Sequence, residues 1–100
     1  MNGLSKCTQI AIVDTTTSTE YDFDYSKYRY IGFAFRNRSG SIYNLTMVPI
    51  DFFKTFNASV RYISDYTNPA GRFVMDSYYK DGKVVAQINN TTMNGVIYGI

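Results

Sequence analysis

The sequence predicts an all-β protein, an antiparallel two-sheet β-sandwich of jelly-roll-like type with about eight short strands. Bulky residues recur with a period of two in segment after segment, the spacing that lines one face of a strand. Clusters of Gly, Pro, Asn and Asp punctuate those segments at fairly regular intervals, as turns do. No segment supplies the crossover helix that a parallel sheet needs. At 100 residues the chain reads as one domain, 1–100, because a second would have too little interior.

Cys7 to Val13 reads as a first strand with Ile10 and Ile12 on one face, and the short polar run Asp14 to Thr19 as a loop. Glu20 to Tyr25 then alternates, Tyr21, Phe23 and Tyr25 against Glu20, Asp22 and Asp24, as a half-buried strand does. The centre of the fold is Tyr28 to Val48. Ile31, Phe33 and Phe35 share a face, and a three-residue loop of Arg38, Ser39 and left-handed Gly40 pairs Phe35 with Tyr43, Phe33 with Leu45 and Ile31 with Met47. Pro49 to Lys54 predicts one helical turn plugging Phe52 or Phe53 into the core.

Ala58 to Tyr66 resumes the period of two, with Ala58, Val60 and Tyr62 on one face, and Asn68 to Gly71 is a turn. Asp81-Gly82 is a type I′ signal that pairs Tyr79 with Val84, Ser77 with Ala86 and Met75 with Ile88. Asn89 to Asn94 is a polar loop and Gly95 to Ile100 a last strand. Gly32, Gly95 and Gly99 fall inside strands, where glycine weakens a sheet unless something approaches closely, from this chain or another.

Composition narrows the chemistry. The net charge is +2 with Lys and Arg scattered, so no nucleic-acid partner is expected. No apolar run approaches a membrane helix and no leader pattern opens the chain, so a soluble protein without membrane insertion is expected. Cys7, alone, excludes an intrachain disulfide and reads as a small buried apolar residue. Without His, and with one Cys, a zinc set cannot close and acid–base catalysis is poorly supplied. Neither a metal nor a cofactor is expected, and the chain reads as a non-enzyme.

Glu20, Asp22 and Asp24 share oxygen ligands that suit calcium, but a solvated face guarding a sheet edge is the stronger reading. Carboxylates two apart on a strand lie side by side and do not flank a glycosidic bond. The Asn-x-Ser/Thr triplets at Asn37, Asn44, Asn57, Asn89 and Asn90 read as chance in a chain this rich in Ser and Thr. The best binding candidates are Tyr62, Tyr66 and Tyr78, whose rings can stack on sugars or partners, with core or subunit interface as the commoner role for any one Tyr. Arg36 and Arg38, at the hairpin tip, are candidates for an anionic or sugar ligand, against a plain solvated turn. Loops gather at the ends of a sandwich, so the loop Arg36 to Ser41 and the turns around Asn68 and Asp81 are the natural presenters.

Tyr25-Ser-Lys-Tyr-Arg-Tyr-Ile31, then Met47-Val-Pro-Ile-Asp-Phe52, then the ending Ile97-Tyr-Gly-Ile100, resemble C-terminal domains of bacteriophage tail fibres and minor structural proteins. The resemblance covers roughly Thr15 to Ile100. It implies a small β-sandwich that associates with copies of itself, often as a homotrimer, beside other virion proteins and against a host-surface glycan or protein. It also implies a place in the virion after synthesis in the bacterial cytoplasm. It supplies no catalytic residue. Such tips follow a fibrous region that this chain lacks before Met1, which reads either as an excised tip or as a complete capsid or tail accessory protein. A carbohydrate-binding module of a cellular enzyme is the third reading.

Overall fold

The period-two segments become eight strands in a computed structural model that describes residues 7–100. In chain order these are β1 (Thr8–Val13), β2 (Thr19–Asp22), β3 (Tyr30–Arg36), β4 (Ile42–Pro49), a single helical turn α1 (Ile50–Phe53), β5 (Tyr62–Asn68), β6 (Gly71–Lys80), β7 (Lys83–Ile88) and β8 (Asn94–Gly99). A front sheet has the order β1-β8-β3-β4 and a back sheet the order β2-β7-β6-β5, with every pair antiparallel. The chain is an all-β two-sheet sandwich. Its first and last pairs nest as in a jelly roll, with β1 on β8 in front and β2 on β7 behind.

The inward positions interdigitate between the sheets. Phe33, Phe35, Phe53, Phe73, Met75 and Ile97 are fully enclosed there. Each such side chain contributes about 1.5–3 kcal/mol by leaving water, so this one cluster dominates the stability of the fold. Phe33 packs on both Phe53 (5.6 Å between centroids) and Tyr62 (5.4 Å), which ties α1 and β5 to the centre of β3. Phe53, not Phe52, is therefore the plug; Phe52 faces solvent.

The β6–β7 hairpin has the expected register, Tyr79 on Val84, Ser77 on Ala86 and Met75 on Ile88. Asp81 and Gly82 both take positive φ, as type I′ demands. The β3–β4 hairpin follows its expected register only as far as Phe35 on Tyr43. The tip is the three-residue loop, closed by Asn37 N–H donating to Ser41 O, with Gly40 at φ +93°. Beyond Tyr43 a bulge at Asn44 (φ 58°) advances β4 by one residue, so that Phe33 faces Thr46 and Ile31 faces Val48. Leu45 and Met47 consequently point outward. Asn tolerates the left-handed conformation, and its Nδ2 donates across the open edge to Asp65 O on β5 (2.9 Å), a bond that fixes the bulge.

Three further expectations are corrected. Residues 57–60 form a turn in which Asn57 Oδ1 accepts from Ser59 and Val60 N–H, so Ala58 and Val60 are exposed and the strand begins at Tyr62. The strand from Glu20 ends at Asp22; Asp24 instead accepts from Ser26 N–H and caps a 3₁₀ turn over Tyr25–Lys27. Cys7 is exposed, because it lies just outside edge strand β1.

The strand glycines are met by this chain itself. A Cβ on Gly95 would come within 2.7 Å of Met75 Sδ, and one on Gly99 within 2.6 Å of the Tyr28 ring.

Candidate functional site

One end of the sandwich gathers the β3–β4 loop, the β5–β6 turn and the β7–β8 loop around a hollow of about 430 Å³. Its floor is apolar, made by Phe73 and Met93, both buried, and by the ring of Tyr43. Its rim is polar, with Asn37, Arg38 and Ser39 on one side and Asn68 and Thr92 on the other. A smaller hollow of about 90 Å³ adjoins it, lined by Arg36, Thr91 and Asn94 and sharing Asn37, Arg38 and Thr92. The larger space lies within the roughly 300–1,000 Å³ range of small-molecule sites, and an apolar base with few polar groups above it is their usual build.

Asparagines hold every wall. Asn37 Oδ1 accepts from Ser39 N–H (3.1 Å), Ser39 Oγ–H (2.8 Å) and Ser41 N–H (2.9 Å), while its Nδ2 donates to the Tyr43 hydroxyl (3.1 Å). Asn68 Oδ1 accepts from Ala70 N–H, and Asn90 Oδ1 from Thr92 N–H. Behind them Asn89 accepts from Val74 N–H and donates to Arg72 O, tying the β7–β8 loop to β6. Side chains that bond their own backbone two residues on make Asx turns, so these loops are ordered without help from a ligand.

The ring under the rim is one of a stack. Tyr43 lies on Tyr66 at 5.4 Å and 15°, and Tyr66 on Phe35 at 6.2 Å and on Phe73 at 6.4 Å. Of the five residues singled out from sequence, Arg38 lines both hollows and Arg36 the smaller, with Arg36 also donating to Gln9 Oε1 (3.3 Å). Tyr66 supports the floor from behind. Tyr62 and Tyr78 are elsewhere: Tyr62 is packed on Phe33 and Phe56, and Tyr78 lies on the outer back face under the Arg61 guanidinium at 5.1 Å. The Asp81 turn is at the opposite end of the sandwich, since β6 runs the length of the sheet between it and the hollow.

Asn37, Ser39 and Asn68 lie in loops that the sequence marks as presenters, whereas Tyr43, Phe73, Thr92 and Met93 are residues that sequence reasoning missed. A signal for part of this set was present. Three of the Asn-x-Ser/Thr triplets, at Asn37, Asn57 and Asn90, are Asx turns in which the Asn oxygen accepts the N–H of the Ser or Thr itself.

The carboxylates of β2 form a charged sheet edge. Asp22 meets Lys83, which holds its carboxyl below the usual range, and Glu20 meets Lys80 at 3.5 Å. Among the described residues no group of three or more His, Cys, Asp or Glu side chains is placed to hold a metal ion. No helix there is long and apolar enough to cross a membrane.

What the loop-end arrangement offers chemically is a small apolar base beneath a rim of amide, hydroxyl and guanidinium groups. No protein-family model matches the chain, and neither a curated protein nor a solved structure is significantly similar to it.

Proposed function

We propose that this chain is a non-enzymatic domain of a bacteriophage virion, at the tip of a tail fibre, and that its loop-end hollow receives a host-surface glycan bearing an acidic group. The hollow itself carries the reading. Tyr43, backed by the buried Phe73 and Met93, presents an apolar base against which the C–H face of a sugar can lie, and Asn37, Asn68 and Thr92 present amide and hydroxyl partners for its hydroxyls. Arg38 adds a planar fork for a carboxylate or phosphate, the reason for preferring an acidic glycan.

The virion half of the reading is supported by the resemblance, whose three segments come together at the far end of the sandwich. Ile100 O accepts from both Arg29 and Tyr30 N–H, Ile50 N–H donates to Arg29 O, and the Tyr28 ring seats on Gly99. In this chain the three short motifs act as one packing device that closes that end of the sandwich.

Binding is tested on an array of bacterial surface glycans, followed by calorimetry on the hits. Acidic glycans are expected to bind, and Arg38→Ala to weaken them by about tenfold, the loss of one charge-assisted contact. Retention of tail particles without any glycan binding would replace this reading with that of a virion accessory protein.

A further inference from the structure

The two outer faces of the sandwich are unlike. Across the back sheet, outward side chains form ion pairs, Asp65 with Arg72, Asp22 with Lys83 and Glu20 with Lys80, beside the exposed Ile63. Across the front sheet, alternation from the observed registers turns Tyr30, Ile42, Leu45, Met47 and Tyr98 outward, and Arg36 is the one charge on that face among the described residues. Leu45 and Met47 are 49% and 53% exposed, Ile42 43% and Tyr30 38%. Gly32 lies among them without a side chain, so Leu45 and Ile100 fold down over its backbone and the surface stays low. Apolar side chains gathered on one sheet face are a surface suited to protein contact.

We propose that the outer face of the front sheet is a symmetric dimer interface, covered by the same face of a second copy of this chain. Size is the first argument. The molecule is a slab of 38 × 35 × 17 Å, and a stable interface takes about 800 Å² from each partner, a patch that a broad face of so thin a body can supply and its sides cannot. Self-complementarity is the second. In an isologous contact one patch meets itself, and a face with a single peripheral charge does so without burying unpaired ions, whereas the ion-paired back face would have to be stripped of water. A trimer needs two different complementary surfaces on each chain, whereas an isologous dimer asks the front face only to meet itself.

The loop-end hollow opens at the end of the slab and stays free in such a dimer. The inference stands on the front face alone, so failure of glycan binding leaves it intact.

Sedimentation of the full chain at about 100 μM, a range that captures even modest self-association, is expected to give the mass of two chains. Leu45→Lys and Met47→Lys, each at an exposed position, are expected to weaken the dimer by at least about tenfold, as truncated interface anchors do. Lys80→Ala, on the back face, is expected to leave it unchanged. Circular dichroism of each variant is read first; if Leu45→Lys does not fold, Met47→Lys and Ile42→Lys carry the test. A monomer at that concentration, a trimer, or a dimer indifferent to the front-face variants overturns the proposal, as does a front face protected from hydrogen exchange only when a foreign protein is added.

Discussion

Ser64 faces the core from β5, 4% exposed, and its hydroxyl has no hydrogen-bond partner. Its neighbour across the sheet is Met75, whose thioether is only a weak acceptor. Ser77, the other enclosed serine, at least reaches Tyr62 O at 3.5 Å. An orphaned buried hydroxyl costs about 1–3 kcal/mol, and Ala fills nearly the same space without it. Ser64→Ala is therefore expected to stabilise the chain by about 1 kcal/mol, raising the melting temperature by about 4–8 °C in a domain of this size. Unchanged or lower melting would mean that the hydroxyl is satisfied in solution. Gly99 illustrates the opposite constraint, because its missing side chain is the seat of the Tyr28 ring and a methyl group there has no room.

Strands and turns were legible where a single local rule decided them. Asp81-Gly82 admits one turn type, and the β6–β7 register followed from it as far as Met75 on Ile88. The β3–β4 hairpin obeyed the same logic at its tip and departed at Asn44, because a bulge is chosen by a partner far away in sequence, here Asp65 O. Strict alternation through Leu45 and Met47 looked like core and is outer surface. The loop-end hollow was half visible for the same reason. Arg36 and Arg38 lie on a loop that announces itself, whereas Phe73 and Met93 enter the site only through the packing of sheets that no local pattern encodes. Asn44→Ala tests the bulge directly. It removes the bond to β5 and places a residue with a Cβ but no local hydrogen bond at φ 58°. A loss of about 1–3 kcal/mol in urea unfolding is expected, with Asn44→Gly recovering part of it, since Gly relieves the backbone but not the lost bond. Equal losses for both variants would show that the backbone conformation costs nothing.

At the scale of the whole molecule, titration acts on two different parts of the sandwich and limits it from both sides. Asp22 and Asp65 on the back face have carboxyls held below the usual range, chiefly by hydrogen bonds from Lys83 and Arg72, and Asp24 by those from Ser26. A carboxyl whose folded pKa is depressed stabilises the fold fully above its ordinary value, and that contribution disappears as pH falls through the folded value. All three are solvent-exposed, so each effect is small and screened by salt. Tyr25 works at the other limit. Burial, and then the neighbouring Tyr79, push its hydroxyl well above the ordinary phenol range, while that hydroxyl donates to Lys83 O at 3.2 Å. A raised folded pKa gives stability that is complete below about pH 10 and is lost as the pH rises beyond it, because the unfolded chain can ionise there and the folded one resists. The melting temperature is thus expected to be level from about pH 5 to 9, to decline below about pH 4 and to decline again above about pH 10. Asp65→Asn should make the acid decline shallower and leave the alkaline one alone, while Tyr25→Phe should do the reverse. A scan of melting temperature against pH, run at low and high salt, checks both. Equal melting at pH 3 and pH 7 in low salt would remove the back-face ion pairs from any account of stability, and an alkaline decline that persists in Tyr25→Phe would assign that limit to another group.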